Sequence, residues 1–386
     1  MPPINFHKKE KPLTSLVSMG GGATGSVLGG IVDKTTDAIW FKNAETNTDL
    51  AALDAAVLDT LQIRNTSKTE TAWKVPAGVT SISIACMGCG GGGVDYGTSS
   101  QASTSRGGGQ LMWRNNISVT AGTTLYVHAA QGSANGIRGM SSDPGKYISD
   151  TSANETAWTD SAVTNYSRAS YVRIWDGGVN KWLVVADGAS GYTGNDQTGG
   201  GSDGLSRMNN SLYGTLGTQG TDYGGGNGGN GGGRQSGGYN AYSRGSGGAG
   251  GYTGNGGNGS GSQSGDGTNG QGGGGGGAAS YHVSSNYDYQ GTPPGYAYGG
   301  DTYMWGEGNA GNKGNFTFNR PGEGSKTGTS ASNTIPRGLG MGGGGGKDGW
   351  INVNARGPYM DGWVRIVWSK EGVTRTFPST NILYPG

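Results

Sequence analysis

From Thr71 onward, apolar and polar positions alternate with a period of two. Trp73-Lys74-Val75 leads into Pro76-Ala77-Gly78, and Ile82, Ile84 and Cys86 then alternate with Ser81, Ser83 and Ala85. Successive side chains of an extended chain point to opposite faces, so this spacing predicts a strand, a Pro-containing turn and a second strand. Leu111-Met112-Trp113, Ile117-Ser118-Val119 and Leu125-Tyr126-Val127 continue the pattern, with Ala121-Gly122 as a turn between the last two. Tyr171-Val172-Arg173-Ile174-Trp175 and Trp182-Leu183-Val184-Val185-Ala186 flank Asp176-Gly177-Gly178, a hairpin signal. Residues 71–186 therefore predict a small antiparallel β unit. Strand periodicity resumes at Gly362-Trp363-Val364-Arg365-Ile366-Val367-Trp368, within a closing strand and tail over 347–386. That strand is expected to pair with Thr80 to Met87 and tie both ends of the unit together.

Residues 1–70 follow a different rhythm. Leu50, Leu53, Val57, Leu58 and Leu61 recur at spacings of three, four and seven, with Ala51, Ala52, Ala55 and Ala56 between them. The spacing predicts a helix of about four turns over Thr48 to Ile63, with Thr46 and Asp49 in capping-box register. So short a helix does not fold alone, so Leu50, Leu53, Val57 and Leu61 are read as the face of an N-terminal attachment segment.

Residues 187–346 have neither rhythm. Between Asp187 and Asn315 the only residues of the Leu/Ile/Val/Phe set are Leu205, Leu212, Leu216 and Val283. Glycine recurs at every third position instead: Gly225, Gly228 and Gly231; Gly245 to Gly257 in steps of three; Gly267 to Gly276 likewise. The whole chain holds 85 glycines in 386 residues, about 22% against a usual share of roughly 7%. A left-handed extended helix of the polyproline II type has three residues per turn, so glycine at every third position lines one edge. Neighbouring helices then approach until backbone N–H and C=O groups bond between them, which satisfies buried backbone without side-chain burial. At about 3.1 Å per residue, Gly245 to Gly257 spans about 37 Å. The expected fold class is mainly β with a stack of glycine-rich polyglycine-II helices and a small N-terminal α-containing attachment segment. A flexible Gly/Ser linker is the plain alternative, and the aromatic residues that recur through the region count against it.

Charge narrows the function classes. Lys and Arg number 27 against 26 Asp and Glu, a net charge of +1 without a basic block, which argues against nucleic acid as a partner. No stretch reaches the apolar length of a membrane span, and the N-terminus lacks the apolar core of a secretory signal. Two cysteines make no disulfide scaffold, and 12 prolines without a Gly-X-Y register make no collagen.

Several of these segments carry a resemblance. Trp73-x-Val75-Pro76-Ala77-Gly78-Val79-Thr80, then Gly88-x-Gly90-Gly91-Gly92-Gly93, then Ile117-x-Val119-Thr120-Ala121-Gly122 resemble the entry to glycine-rich domains of bacteriophage tail-fibre and adhesin proteins. The ending, Gly362-x-Val364-Arg365-Ile366-x-Trp368 and Arg375 to Asn381, resembles virion structural proteins of marine and cyanobacterial phages. Tyr171 to Ile174 and Leu183 to Gly188 are also similar to the glycine-rich domain of the anaplastic lymphoma kinase receptor ectodomain, although there the glycine block follows the second strand directly. The resemblance covers about residues 71–386. It implies a polyglycine-II sandwich whose distal loops touch the host receptor.

Little in the chain points to chemistry. Cys86-Met87-Gly88-Cys89 has redox-pair spacing, but it ends a strand and lacks the second pair a zinc site needs, so it reads as two small buried residues. Gly346-Lys347-Asp348 lacks the Ser or Thr of a phosphate loop. No catalytic group, cofactor or metal is expected, and the chain is read as a non-enzyme. Tyr281, Tyr287, Tyr289, Tyr296, Tyr298, Tyr303 and Trp305 stand among Ser, Asn, Gly and Pro, the composition of adaptable recognition loops; Trp158 lies in a second polar loop. These aromatics either contact a receptor or fold back over the glycine helices.

The resulting expectation is a virion protein on the phage surface, monomeric or trimeric, held to other virion proteins through residues 1–70. It would act as a tail fibre or tail-tip adhesin for host surface polysaccharide or an outer-membrane protein. The alternative is a purely architectural capsid fibre, knob or tail connector.

Overall fold

The computed structural model describes residues 32–33, 38–42, 63–65, 70–91, 107–130, 169–189, 205, 208, 216–232, 245–261, 266–273, 302–303, 313, 340–341, 362–368 and 376–378. They are mainly β, with almost no helix. In chain order the strands begin with β1 (Val32–Asp33), β2 (Ala38–Lys42), β3 (Ile63–Asn65), β4 (Thr71–Lys74) and β5 (Ser81–Met87). Next come β6 (Leu111–Ser118), β7 (Thr124–His128), β8 (Ser170–Asp176), β9 (Val179–Ala186) and β10 (Tyr223–Gly226). The last are β11 (Thr302–Tyr303), β12 (Gly340–Met341) and β13 (Trp363–Trp368).

Two sheets carry the fold. One is seven-stranded, in the order β1-β2-β13-β5-β6-β10 with β3 also on β2, and the other is four-stranded, β4-β7-β8-β9. The first is antiparallel except for the β2–β3 pair, and the second is antiparallel throughout. The expected pairing of β13 with β5 is present over Trp363↔Met87 to Trp368↔Ile82. The hairpin at Gly177-Gly178 joins β8 to β9, with φ of 60° and 85° at the two glycines. Glycine takes such angles without the steric cost that most L side chains meet there.

The single β unit read from the sequence is in fact split between the sheets. The turn at Pro76 to Gly78 carries the chain from β4 to β5, and the turn at Ala121-Gly122 carries it back from β6 to β7. The two crossings clasp each other: the Val75 amide donates to Thr123 O and the Gly122 amide to Val75 O, both at 2.9 Å.

Alternation explains the core between the sheets. Ile82, Ile84 and Cys86 from β5 face it with Val364, Ile366 and Trp368 from β13, opposite Leu125, Val127, Val172 and Val184. Trp73 and Trp368 meet across the gap with ring centroids 5.7 Å apart. Ile39 and Phe41 of β2 join the same core, so part of the first seventy residues belongs to this sheet rather than standing outside it. The expected helical face Leu50, Leu53, Val57 and Leu61 lies outside the described residues. The far end of that expected helix, Ile63, is strand β3.

The four-stranded sheet also holds a buried ion pair. The Arg173 guanidinium donates to both carboxylate oxygens of Glu70, at 2.7 and 2.6 Å, donates to Asn180 Oδ1, and stacks 4.2 Å from the Tyr126 ring centroid. Both charged side chains are fully buried. Such a pair is tolerated because the bidentate geometry and the extra acceptor replace the lost water.

Candidate functional site: the glycine bundle and its exposed rows

The seven-stranded sheet continues into the glycine region at β10. The β6 strand carries a bulge there: Asn115 and Asn116 together oppose Ser83, and Asn116 takes φ 52°. An extra residue in a ladder re-aims its side chain, and Asn tolerates the left-handed conformation. The Asn115 amide group so placed donates to Thr221 O and Phe377 O and accepts from the Phe377 amide, each at 2.8 Å. Phe377 in turn stacks on Tyr252 at 5.8 Å, and Trp113 Nε1 donates to Tyr252 O at 2.8 Å. Tyr252 and the tail around Phe377 therefore seal the glycine region onto the outer face of the sheet.

Above that face the glycine segments bond to one another through backbone alone. The Gly229 and Gly232 amides donate to Gly248 O and Gly245 O, the Gly248 and Gly251 amides to Gly257 O and Gly254 O, and the Gly256 and Gly259 amides to Asn227 O and Asn230 O. Segment 226–232 thus gives to 245–251, which gives to 254–261, which gives back to the first. Further amides join the bundle to its neighbours: Gly108 to Gly229 O, Gly250 to Gly109 O, Gln110 to Asp187 O, Thr268 to Asn258 O and Gln271 to Asn255 O.

On each of these segments, donors to one neighbour lie three residues apart. A strand aims alternate residues at the same neighbour, so a period of three is not strand pairing. Burial follows the same period. Gly267, Gly270 and Gly273 are buried while Thr268 and Gln271 are exposed; Gly226, Gly229 and Gly232 are buried while Asn227 and Asn230 are exposed.

Close approach requires the glycines. A Cβ on Gly229 would sit 2.0 Å from Gly257 O, on Gly228 1.9 Å from Gly108 O, on Gly247 1.8 Å from Gly229 O, and on Gly259 1.8 Å from Gly245 O. No side chain fits at such distances. The uninterrupted helix expected from Gly245 to Gly257 is not formed: the Gly251 amide bonds to Gly254 O, and the chain reverses around Tyr252. The glycine spacing is unchanged through the turn, so it marks the register but hides the reversal.

The exposed edge positions carry amides and hydroxyls. The Asn227 amide N–H donates to Asn255 Oδ1 and the Asn230 N–H to Asn258 Oδ1, both at 2.8 Å. The Asn258 N–H donates to Thr268 Oγ1 at 2.7 Å, and Gln110 Nε2 donates to Asn227 Oδ1 at 2.9 Å. At the far edge Lys313 caps the set, its N–H donating to Asn269 Oδ1 at 2.8 Å and its Nζ pairing with Asp266 at 3.0 Å. Sequence reading missed these rows, although Asn227/Asn230 and Asn255/Asn258 repeat at the spacing of the glycines.

Of the aromatic positions expected to meet a receptor, Tyr303 lies in β11, whose backbone pairs with β12. Tyr281, Tyr287, Tyr289, Tyr296, Tyr298, Trp305 and Trp158 lie outside the described residues. Cys86 and Cys89 are both buried at the end of β5, as the strand-end reading expects, and burial raises the Cys86 thiol pKa well above its ordinary value. No group of His, Cys, Asp and Glu among the described residues is arranged to hold a metal ion, and none of the described helices is long and apolar enough to cross a membrane. Compared with known protein families and with curated proteins, the chain matches no family model and no curated sequence.

Proposed function

We propose that the chain is a non-enzymatic structural protein of a bacteriophage virion, a tail fibre or tail-tip adhesin that binds a receptor on the host surface. In this reading the glycine segments are polyglycine-II helices packed as a sandwich, exposed on the particle. The aromatic loops bearing Tyr281 to Trp305 and Trp158 touch host polysaccharide or an outer-membrane protein. Residues of 1–70 outside strands β1 to β3 join the chain to other virion proteins.

The period-three backbone bonding among residues 226–232, 245–261 and 266–273 is the observation that carries this reading. It supports a body held together with few side chains, which is therefore rigid yet leaves its polar edges and loops available for contact. Rigidity matters because a preorganised surface loses little entropy on binding. The low overall charge makes such adhesion weakly dependent on salt.

Purified protein should adsorb to susceptible cells and compete with phage adsorption. Absence of binding together with unchanged adsorption would reject the adhesin role and leave the architectural one.

A further inference from the structure

We propose that the exposed rows of the glycine bundle form a second binding surface, distinct from the aromatic loops, for an extended uncharged polysaccharide. The inference rests on the adhesin reading and adds to it a site and a ligand class.

The bundle's own bonds already use specific atoms of its exposed edge. A backbone N–H bonds only to an oxygen, so the bonds from Asn227 and Asn230 orient the side-chain amides of Asn255 and Asn258 without ambiguity. The Gln110 donor does the same for Asn227 Oδ1. Each of these three residues is exposed, and each oxygen is committed to a donor of the protein. What remains outward is the Nδ2 amino group, which carries two donors and no acceptor. Asn227, Asn255 and Asn258 therefore present the same pole of the amide.

The surface is also regular. Asn255 and Asn258 stand three residues apart on one segment, as do Thr268 and Gln271 on the next, which also bonds to it. At about 3.1 Å rise per residue the repeat along each row is about 9 Å. The backbone beneath is fixed on several sides, so the donors are held in place before any ligand arrives.

A row of uncharged donors at fixed spacing suits a ligand rich in acceptor oxygens that repeats along one direction. Hydroxyl, ring and N-acetyl oxygens of an extended glycan meet that description. A phosphate or carboxylate polymer would be drawn to fixed positive charge, and the only ion-paired cation described at this edge, Lys313, is already neutralised by Asp266. Neutral amide donors add binding energy without attracting counterions, so the contact should survive high salt.

The test substitutes Asn255→Asp and Asn258→Asp together. A carboxylate oxygen still accepts the backbone N–H, so the bundle keeps its bonds while the outward donors become acceptors. Wild type and variant are titrated calorimetrically, at high salt to screen the added charge, against a panel of extended neutral bacterial polysaccharides. Circular dichroism melts establish that both are folded. The proposal expects a member of the panel to bind wild type, the variant to bind it at least tenfold more weakly, and a second variant, Asn255→Gln with Asn258→Gln, to recover part of the loss. Equal binding by wild type and folded Asp variant would overturn it. Wild type that blocks phage adsorption yet binds no polysaccharide would also overturn it while leaving the adhesin reading intact. Wild type that neither binds the panel nor affects adsorption would remove both.

Discussion

The two-sheet core and the glycine bundle order their backbones by opposite means. In the core, Ile84, Val127, Val172, Val184 and Ile366 are buried with almost no exposure, and each such side chain contributes about 1.5–3 kcal/mol by leaving water. In the bundle, residues 226–232 and 245–251 contain no Leu, Ile, Val or Phe, yet Gly226, Gly229 and Gly245 to Gly251 are as buried as the core. What replaces side chains there is backbone bonding in several directions from one segment. A strand bonds only along its two edges, whereas segment 245–251 bonds to 226–232, 254–261 and the chain at Gly109. Glycine's high entropy cost is thus offset by the density of bonds that only a side-chain-free backbone can reach.

This contrast predicts opposite sensitivities to small changes. The largest effect is expected from Gly229→Ala. Its Cβ would lie 2.0 Å from the Gly257 carbonyl oxygen, and its nearest neighbours are all backbone atoms of Gly257 and Asn258, with no flexible side chain to yield. Loss of more than about 5 kcal/mol is expected, read as loss of the folded bundle in chemical denaturation. An Ile84→Val change in the core, by comparison, costs about 1 kcal/mol because neighbouring side chains relax.

Next comes the buried pair in the four-stranded sheet. Arg173→Met leaves the Glu70 carboxylate buried without its partner and should cost about 4 kcal/mol. Adding Glu70→Leu should recover most of that loss, because two apolar side chains in contact carry no unpaired charge. A double variant as unstable as the single one would show that the pair is needed for more than charge balance.

A pH-dependent effect of intermediate size belongs to the core alone. His128 is buried, donates from Nδ1 to Ala169 O at 3.0 Å and stacks on Tyr171. Burial lowers its pKa from 6.5 to about 4, with the Ala169 bond opposing the shift. Between those values the unfolded chain holds a proton that the folded chain does not. Stability contributed by the neutral ring is full above pH 6.5 and falls as pH drops towards 4, by about 3 kcal/mol in all. Denaturation midpoints measured across that range should decline, and a His128→Gln variant should lack this part of the decline. The smallest effect is expected at Gly261, where a Cβ would meet nothing within 4 Å and φ is not positive. Gly261→Ala should be neutral or stabilise by under about 1 kcal/mol, by restricting the unfolded chain.

How legible the fold was in the sequence differs between the two regions for a physical reason. Period-two alternation placed β4 to β9 and β13 because each side chain there commits to a face, and Gly177-Gly178 marked its hairpin directly. Alternation is silent about which sheet a strand joins. The crossings at Gly78 and Gly122, and the entry of Ile39 and Phe41 into the core, are long-range consequences of packing. In the bundle the glycine period located the segments but not the reversal at Tyr252, because successive segments keep the same spacing. The asparagine rows were visible at the same period. Their chemistry was not, since it depends on which amide atom the neighbouring backbone consumes.

The central claim is that residues 226–232, 245–261 and 266–273 are held by backbone bonds whose donors to one neighbour lie three residues apart. Residue-resolved amide hydrogen exchange on the intact protein tests it most directly. The account predicts that the Gly229, Gly232, Gly248, Gly251, Gly256 and Gly259 amides exchange as slowly as those of β5 and β13, together with the Gly250 amide bonded to Gly109 O. Exchange of these glycines at the rate of an unfolded chain would contradict it.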